Sequence, residues 1–297
     1  MGWRPDARLA QQMALIRQTV VKDEEPHFAI VFRTSQADMK RGHATAQQLE
    51  GALAYTEKMG YKADVFNLEE TPMSPQRLAG ILLARGIQGM MFICTVRPAI
   101  ERAYLEIGRE FATSIIGKRD VEFPFHAITN DYLGACSLAL KELRQLGYRR
   151  IGMVLPLGVD QPLANAYSGG FTSATFDYPA DDRIPVLRVS PGEAYLTNKA
   201  FPEIERWLET YEPDVVLSTD VASLQRLRRR RQWDERFAIY SCDVDPDSTF
   251  GGINLRQRRL GLAAVDLIVA QLHRGEHGLP EVQRVVQVGA MWKPAGP

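Results

Sequence analysis

From residue 27 onward, short apolar runs alternate with longer segments of helical periodicity. Runs such as GMMFIC (89–94) have the continuous apolar character of strands that are buried on both faces of a parallel sheet. The intervening segments carry helix signals, for example the Ser74-Pro75 pair at the start of one of them. This alternation predicts a doubly wound α/β fold with parallel sheets. Roughly ten such units are too many for one small sheet, so we expect two α/β lobes.

The predicted elements cover most of the chain after residue 27. The predicted strands are 28–35, 63–68, 89–94, 112–117, 126–131, 150–156, 184–190, 214–219, 237–243, 251–255 and 283–289. The predicted helices are 44–61, 74–86, 98–111, 133–148, 164–175, 198–211, 221–232 and 256–275. The step at 147–151 is the best point for the chain to cross from one lobe to the other.

Charge and cysteine content restrict the classes of function. Lys+Arg and Asp+Glu both number 36, which argues against binding of nucleic acid by bulk charge. Cys94, Cys136 and Cys242 lie far apart in or beside apolar runs, so we expect reduced, buried thiols. We find no secretory signal and no run of 18 apolar residues, and we expect a cytoplasmic protein.

The motifs of common enzymes and metal sites are missing from the sequence. There is no phosphate loop, no GxGxxG after the first strand, and no GxSxG, HExxH or CxxC motif. No nucleophile is paired with a base, so we expect no catalytic residues, no cofactor and no enzymatic activity. Asp243, Asp245 and Asp247 alternate without the Gly and Glu of a calcium loop, so no metal site is expected. The arginines at 228–231 fit a solvated or salt-bridged helix end.

Polar residues follow the predicted strands where a ligand would bind. Open parallel sheets bind ligands outside the carboxyl ends of their strands. The candidate contacts at these ends are Arg33, Thr34, Ser35, Thr95, Asn130, Asp131, Thr219, Asp220 and Asp243. This mixed, hydrogen-bonding set suits a neutral polyhydroxylated ligand.

Several stretches, taken in order, resemble the LacI (lac repressor) family of bacterial transcription regulators. ILLARGIQGMMFI (81–93) is similar to the family's helix, Arg-x-x-Gly and strand segment. ITNDYLGACSLALKELRQLGYRRIGMVLP (128–156) is similar to its Asp-Asn-x-x-Gly-Gly helix and Leu-Gly-His-x-x-Ile strand. PDVVLSTDVASL (213–224), IYSCDVD (239–245) and INLRQRRLGLAAVDLIVAQLHRG (253–275) match later segments, so that the resemblance spans nearly all of 27–289.

The resemblance implies a core with the fold of type I periplasmic binding proteins. Its two lobes would be joined by three crossovers, near 147–150, 253–257 and 278–283. The N-terminal lobe would be 27–147 plus 257–279, and the C-terminal lobe 149–254 plus 282–297. A small effector, sugar-like in chemistry, would bind in the cleft between the two lobes of one subunit. The protein would be a homodimer, and effector binding would change the affinity of this dimer for operator DNA. The alternative in another class is the solute-binding protein of a sugar transport system, and an enzyme is a third hypothesis.

The opening GWRPDARLAQQMALIR is similar to the family's junction between a helix-turn-helix headpiece and a hinge helix. The resemblance assigns 1–26 to this hinge and linker, with Leu9 and Met13 at the DNA minor groove. The resemblance implies that the headpiece is missing here, either because the chain is shortened, which a start within the junction favours, or because the natural protein lacks it. Alternatively, Leu9, Met13, Ile16 and Val20 form one stripe of an amphipathic helix that packs on the core.

At three effector positions the chain departs from the family pattern. Tyr167 stands where the family has an arginine, which removes a bidentate donor and offers a ring that could stack on a sugar. Thr219-Asp220 replaces Asn-Asp, and Asn130-Asp131 reverses the usual Asp-Asn. Asp243 stands at the position of the family's effector-binding aspartate, so we expect a remodelled site or a different effector.

Overall fold

The computed structural model describes residues 27–40, 44–94, 100, 102–117, 124–190, 195–233 and 236–296. These residues form two α/β units, each built on a six-stranded, mostly parallel sheet. The predicted doubly wound α/β fold with two lobes is therefore confirmed. The first unit runs to Ile128 and includes Gln257–Val286, and the second contains Thr129–Arg256 and the chain from Gln287 onward.

The sheet of the first unit has the strand order β11-β5-β4-β3-β1-β2. Its strands are β1 (His27–Phe32), β2 (Lys62–Asn67), β3 (Gly89–Cys94), β4 (Ala112–Gly117), β5 (His126–Asn130) and β11 (Val285–Val288). The helices of this unit are α1 (Gln36–Lys40), α2 (Ala44–Lys58), α3 (Pro75–Ala84), α4 (Arg102–Ile107) and α10 (Gln257–Arg274). Every residue of β4 is buried, and its two polar side chains, Thr113 and Ser114, donate their hydroxyls to the backbone carbonyls of Gly108 and Ala264.

The sheet of the second unit has the order β12-β10-β9-β8-β6-β7. Its strands are β6 (Ile151–Pro156), β7 (Leu187–Val189), β8 (Val215–Ser218), β9 (Ala238–Ser241), β10 (Gly252–Asn254) and β12 (Met291–Lys293). The helices are α5 (Tyr132–Gln145), α6 (Leu157–Asp160), α7 (Ala166–Ala174), α8 (Phe201–Tyr211) and α9 (Val221–Arg230). Val216 and Leu217 of β8 belong to two different apolar clusters, because successive side chains of a strand point to opposite faces.

The boundaries between the units differ from the predicted ones at two of the three crossings. We predicted the first crossing near 147–150, but the chain passes into the second unit between Ile128 and Thr129. The physical reason is that α5 packs against α7, so it belongs to the second unit. The last crossing lies between Val286 and Gln287, later than the predicted 278–283, and the second crossing lies between Arg256 and Gln257.

Candidate functional site

In both sheets the strand order reverses beside the first strand of the unit. In the first sheet β1 lies between β3 and β2, and in the second β6 lies between β8 and β7. In open α/β sheets the crevice outside the carboxyl ends of the two strands at such a switch point is where ligands bind. The residues that follow β1 and β8 are therefore the first to consider in each unit.

Thr34, which follows β1, is held in place by Asn67 at the end of β2. The backbone N–H of Thr34 donates to Asn67 Oδ1 at 3.2 Å, and its carbonyl accepts from Asn67 Nδ2 at 2.9 Å. The Thr34 side chain is only 3% exposed. Its hydroxyl has no hydrogen-bond partner among the residues that the structure describes.

Arg33 and Ser35, on either side of Thr34, are both half-buried. The Arg33 guanidinium carbon lies 6.0 Å from the ring centre of Tyr104, within the range of a cation–π contact. Tyr104 is itself anchored, because its hydroxyl donates to the Met73 carbonyl. Three consecutive predicted residues therefore come together at this strand end. Thr95, predicted beside them, lies outside the described residues, as do Leu9 and Met13 of the predicted hinge.

In the second unit, Thr219 and Asp220 follow β8 and have different environments. The Thr219 hydroxyl is buried and, like that of Thr34, has no hydrogen-bond partner within the described part of the chain. The Asp220 carboxylate accepts hydrogen bonds from two backbone N–H groups, that of Ser223 at 3.1 Å and that of Leu196 at 2.8 Å. Asp220 is therefore the N-cap of α9 and the anchor of the loop at Leu196, a positioning role.

Asn130 and Asp131, at the end of β5, also make structural hydrogen bonds. Asn130 is 3% exposed, and its Nδ2 donates to the Leu255 carbonyl at 2.9 Å. Asp131 is the N-cap of α5, and its Oδ1 accepts from the Gly134 N–H at 2.8 Å. Both side chains fix backbone segments of the second unit, as Asp220 does.

Tyr167, the residue whose ring could stack on a sugar, is buried in the core of the second unit. It is 5% exposed, and its ring meets that of Tyr132 edge-on with centroids 4.6 Å apart. Burial, followed by the nearby Tyr132 and Asp243, raises the pKa of the Tyr167 hydroxyl well above its usual range. The half-buried Asp243 is therefore close to this pair of rings, and its backbone N–H donates to Ser241 Oγ at 3.1 Å.

The three cysteines are all described, and none is in a disulfide. Cys136 and Cys242 are buried, whereas Cys94 is half-buried. Burial, with smaller effects of Asp160 and Asp131, raises the pKa of Cys136 to about 12, so this thiol is protonated at neutral pH. The expectation of burial is confirmed for two of the three.

The arginine run at 228–231 is partly salt-bridged. Arg231 donates two hydrogen bonds to the Glu205 carboxylate, one from Nε at 2.6 Å and one from a terminal nitrogen. These bonds lower the pKa of Glu205. Arg228 donates to the Phe237 carbonyl at 3.2 Å. Among the described residues, no group of three or more His, Cys, Asp or Glu side chains could hold a metal ion, and no helix is long and apolar enough to span a membrane.

Sequence reasoning missed residues that support the predicted contacts. Asn67 ends β2 at the same sheet edge as Thr34, so the strand-end rule that selected Thr34 could also have selected it. Tyr104 and Tyr132 had no such signal, because each lies within a helix and reaches the site only through packing. The pairing of Tyr132 with Tyr167 depends on the contact between α5 and α7, which the sequence does not encode locally.

Comparison with known proteins identifies relatives of the fold only among solved structures. No family model and no curated protein sequence matches the chain. A LacI transcriptional regulator from a Rhodococcus species superimposes with a TM-score of 0.67 at 15% identity, covering 91% of this chain and 98% of that one. A LacI family regulator from Enterococcus faecium with bound ribose gives 0.61 at 16% identity and covers 91% and 99%.

The lac repressor dimer bound to operator and the anti-inducer ONPF gives a TM-score of 0.64 at 16% identity. In that comparison the alignment covers 98% of this chain and 84% of the repressor. At such low identity these similarities establish a shared fold. This chain therefore has the periplasmic-binding-protein-like fold of LacI-type transcription regulators.

Proposed function

We propose that this chain is the effector-sensing core of a LacI-type transcription regulator and that its effector is a sugar or a sugar derivative. The shared fold supports the proposal, since proteins of this fold include a regulator with bound ribose and a repressor bound to operator. In this proposal the effector binds one conformation of the core more tightly than another. That difference in affinity is what changes operator binding.

The observation that carries the proposal is the pair of buried threonine hydroxyls at the two strand ends. Thr34 follows β1 and Thr219 follows β8, each beside the switch point of its own sheet. Neither hydroxyl has a hydrogen-bond partner among the described residues. A buried hydroxyl without a partner costs about 1–3 kcal/mol, so a ligand hydroxyl that satisfies it gains affinity.

The predicted contacts divide into ligand-binding and positioning residues. We assign Arg33, Thr34 and Ser35 of the first unit to the effector, and Thr95 with them on the strength of the sequence. In the second unit we assign Thr219 and Asp243 to the effector. Asn130, Asp131 and Asp220 position the backbone around these residues, and Tyr167 supports Asp243 from the core.

Removal of the two hydroxyls tests the assignment. We would screen neutral sugars, sugar acids, sugar phosphates and purines by thermal shift, since a ligand at about 100 times its Kd adds about 2.7 kcal/mol of stability. The variants Thr34→Val and Thr219→Val would then be titrated with the ligand found. We expect each variant without ligand to be at least as stable as the wild type, because Val removes a buried, unpaired hydroxyl. We expect its affinity to fall by about tenfold.

Two results would contradict the proposal. One is a panel without any stabilising compound, and the other is a ligand whose Kd is the same in both valine variants and in the wild type. The matched control is Thr210→Val, which changes an exposed threonine away from the strand ends.

For the DNA side, we propose a homodimer in which Leu9 and Met13 enter the minor groove as apolar wedges. Sedimentation of this chain measures the dimer directly. The wedge is measured as duplex bending by the full-length protein, whose headpiece would bind the operator, through energy transfer between dyes at the two DNA ends. Leu9→Ala and Met13→Ala should reduce bending while sedimentation is unchanged, whereas unchanged bending would assign this stripe to packing on the core.

A further inference from the structure

The second unit carries a groove that does not involve the strand-end residues assigned above. It has a volume of about 810 Å³, within the range of ligand-binding clefts. One wall is the outer face of α7, and the other is the segment 185–188 that leads into the edge strand β7. We call it the α7 groove. Its lining includes Asn165, Ser168, Thr172, Ser173, Phe176 and Arg188.

A buried carboxylate fixes the arginine in this groove. Asp160 is fully buried, and its Oδ2 lies 3.7 Å from a terminal nitrogen of Arg188. The same nitrogen donates to Asn165 Oδ1 at 2.8 Å. Ser168 completes the arrangement by donating its hydroxyl to Asp160 at 2.6 Å. Arg188 is thus oriented before any ligand arrives. The other N–H groups of its guanidinium have no partner in the described part of the chain.

Hydroxyl groups of α7 and an exposed ring in the turn after it form one wall of the groove. Phe176 is 72% exposed. Among the large hydrophobic side chains that the structure describes, only Val282 is as exposed. Thr172 and Ser173 lie one turn before it on the exposed face of α7. Asp177, next to Phe176, adds an exposed carboxylate at the rim.

The charges of the groove select against ionic ligands. Asp160 neutralises Arg188, and the exposed Asp177 carboxylate balances the charge of Arg183, which donates to the Phe176 carbonyl at 3.5 Å, so the groove carries no surplus charge of either sign. What remains is a set of directional donors and acceptors beside a flat apolar face. A saccharide matches both features, because its hydroxyls donate and accept while its C–H face packs on an aromatic ring.

We propose that the α7 groove binds a neutral oligosaccharide, with one sugar ring on Phe176 and hydroxyls on Arg188, Thr172 and Ser173. The groove is open to solvent between a helix and an edge strand, so a chain of sugars can extend beyond it. The site is independent of the proposed effector site, because none of its lining residues is assigned to the effector.

Calorimetric titration of the whole chain tests this site with linear tetrasaccharides of β1,4-glucose, α1,4-glucose and β1,4-xylose. We expect at least one to bind and Phe176→Ala to weaken its binding by about tenfold. This variant should fold normally, since the ring is exposed. The matched control is Tyr195→Ala, which removes another exposed aromatic ring of the second unit that does not line the groove.

Two further variants separate this site from the effector site. Arg188→Gln should also weaken binding, and Thr172→Val provides a change that leaves the Asp160 network intact. Thr34→Val should leave tetrasaccharide binding unchanged. The proposal is overturned if none of the three compounds binds, or if a compound binds with the same Kd after Phe176→Ala and Thr172→Val.

Discussion

His126 is a buried histidine whose ring is used as a hydrogen-bond acceptor. It begins β5 with 2% of its surface exposed, and its Nδ1 accepts from the Arg284 N–H at 3.0 Å. Burial, with the positive charge of Arg284, lowers its pKa below the usual 6.5. Glu276 acts in the opposite direction, and Arg274 adds to the lowering. The folded state therefore prefers the neutral ring.

This shift predicts a loss of stability between neutral and mildly acidic pH. Because the folded-state pKa lies below the unfolded one, the unfolded chain binds more protons below about pH 6.5. The contribution of His126 is fully present above that pH and is lost as the pH falls towards the folded-state pKa. Urea unfolding at pH 7.5 and 5.5 measures the difference. His126→Asn should reduce it, while His277→Asn, at an exposed histidine, should not; equal pH dependence in both variants would contradict the assignment.

Asp220 offers a second test at a single residue. Because its carboxylate caps α9 and also accepts from Leu196, Asp220→Ala leaves two backbone N–H groups without their acceptor. We expect a loss of about 1–3 kcal/mol in the free energy of unfolding. Asp220→Asn retains one acceptor oxygen and should lose less. Equal stability of the alanine variant and the wild type in urea unfolding would show that the carboxylate does not position this loop.

At the scale of elements, the close contact between α2 and α10 depends on two glycines. A Cβ at Gly51 would lie 2.0 Å from the Arg258 carbonyl oxygen, and one at Gly261 would lie 1.9 Å from that of Gln48. The two helix backbones therefore touch where no side chain fits. A hydrogen bond of 2.7 Å between the buried amides of Gln48 and Gln257 adds a polar contact at the same place.

This contact predicts opposite effects of the same substitution on different helices. Gly51→Ala and Gly261→Ala should each destabilise the chain by about 1–3 kcal/mol or more, because the helices must move apart. Gly80→Ala is the matched control on α3, where a Cβ has open space, and it should stabilise by about 0.5–1 kcal/mol. Thermal unfolding of the three variants measures this, and equal effects would contradict the packing argument.

The strands and helices were predictable from the sequence, whereas the elements that they pack against were not. Runs such as GMMFIC gave β3 with the predicted limits of 89 and 94, because burial on both faces demands continuous apolar residues. By contrast, α5 has a clear helical pattern but no local signal for the sheet it covers, so its unit was assigned wrongly. The strand-end rule selected Thr34 and Thr219, whose contact with an effector stays a prediction. It also selected Asp131 and Asp220, because a helix cap and a ligand contact use the same residue types at the same place.

At the scale of the whole molecule, the chain returns to the first unit after it has formed five of the six strands of the second sheet. Helix α10 packs on β3, β4 and α2, and it buries Leu260 and Ile268. Each such side chain contributes about 1.5–3 kcal/mol when buried. The second unit, by contrast, receives only β12 and neighbouring residues from the C-terminal segment.

Removal of Gln257–Pro297 should therefore affect the two units unequally. The first unit loses the helix that covers one face of its sheet, whereas the second keeps five of its six strands. Hydrogen exchange followed by mass spectrometry resolves this within one sample. In the shortened chain, peptides from β1 and β3 should lose protection, and those from β6 and β8 should retain it. Retained protection in β3 would show that the first unit does not need α10. Complete loss of protection in β6 would show that the second unit is not stable without the removed segment.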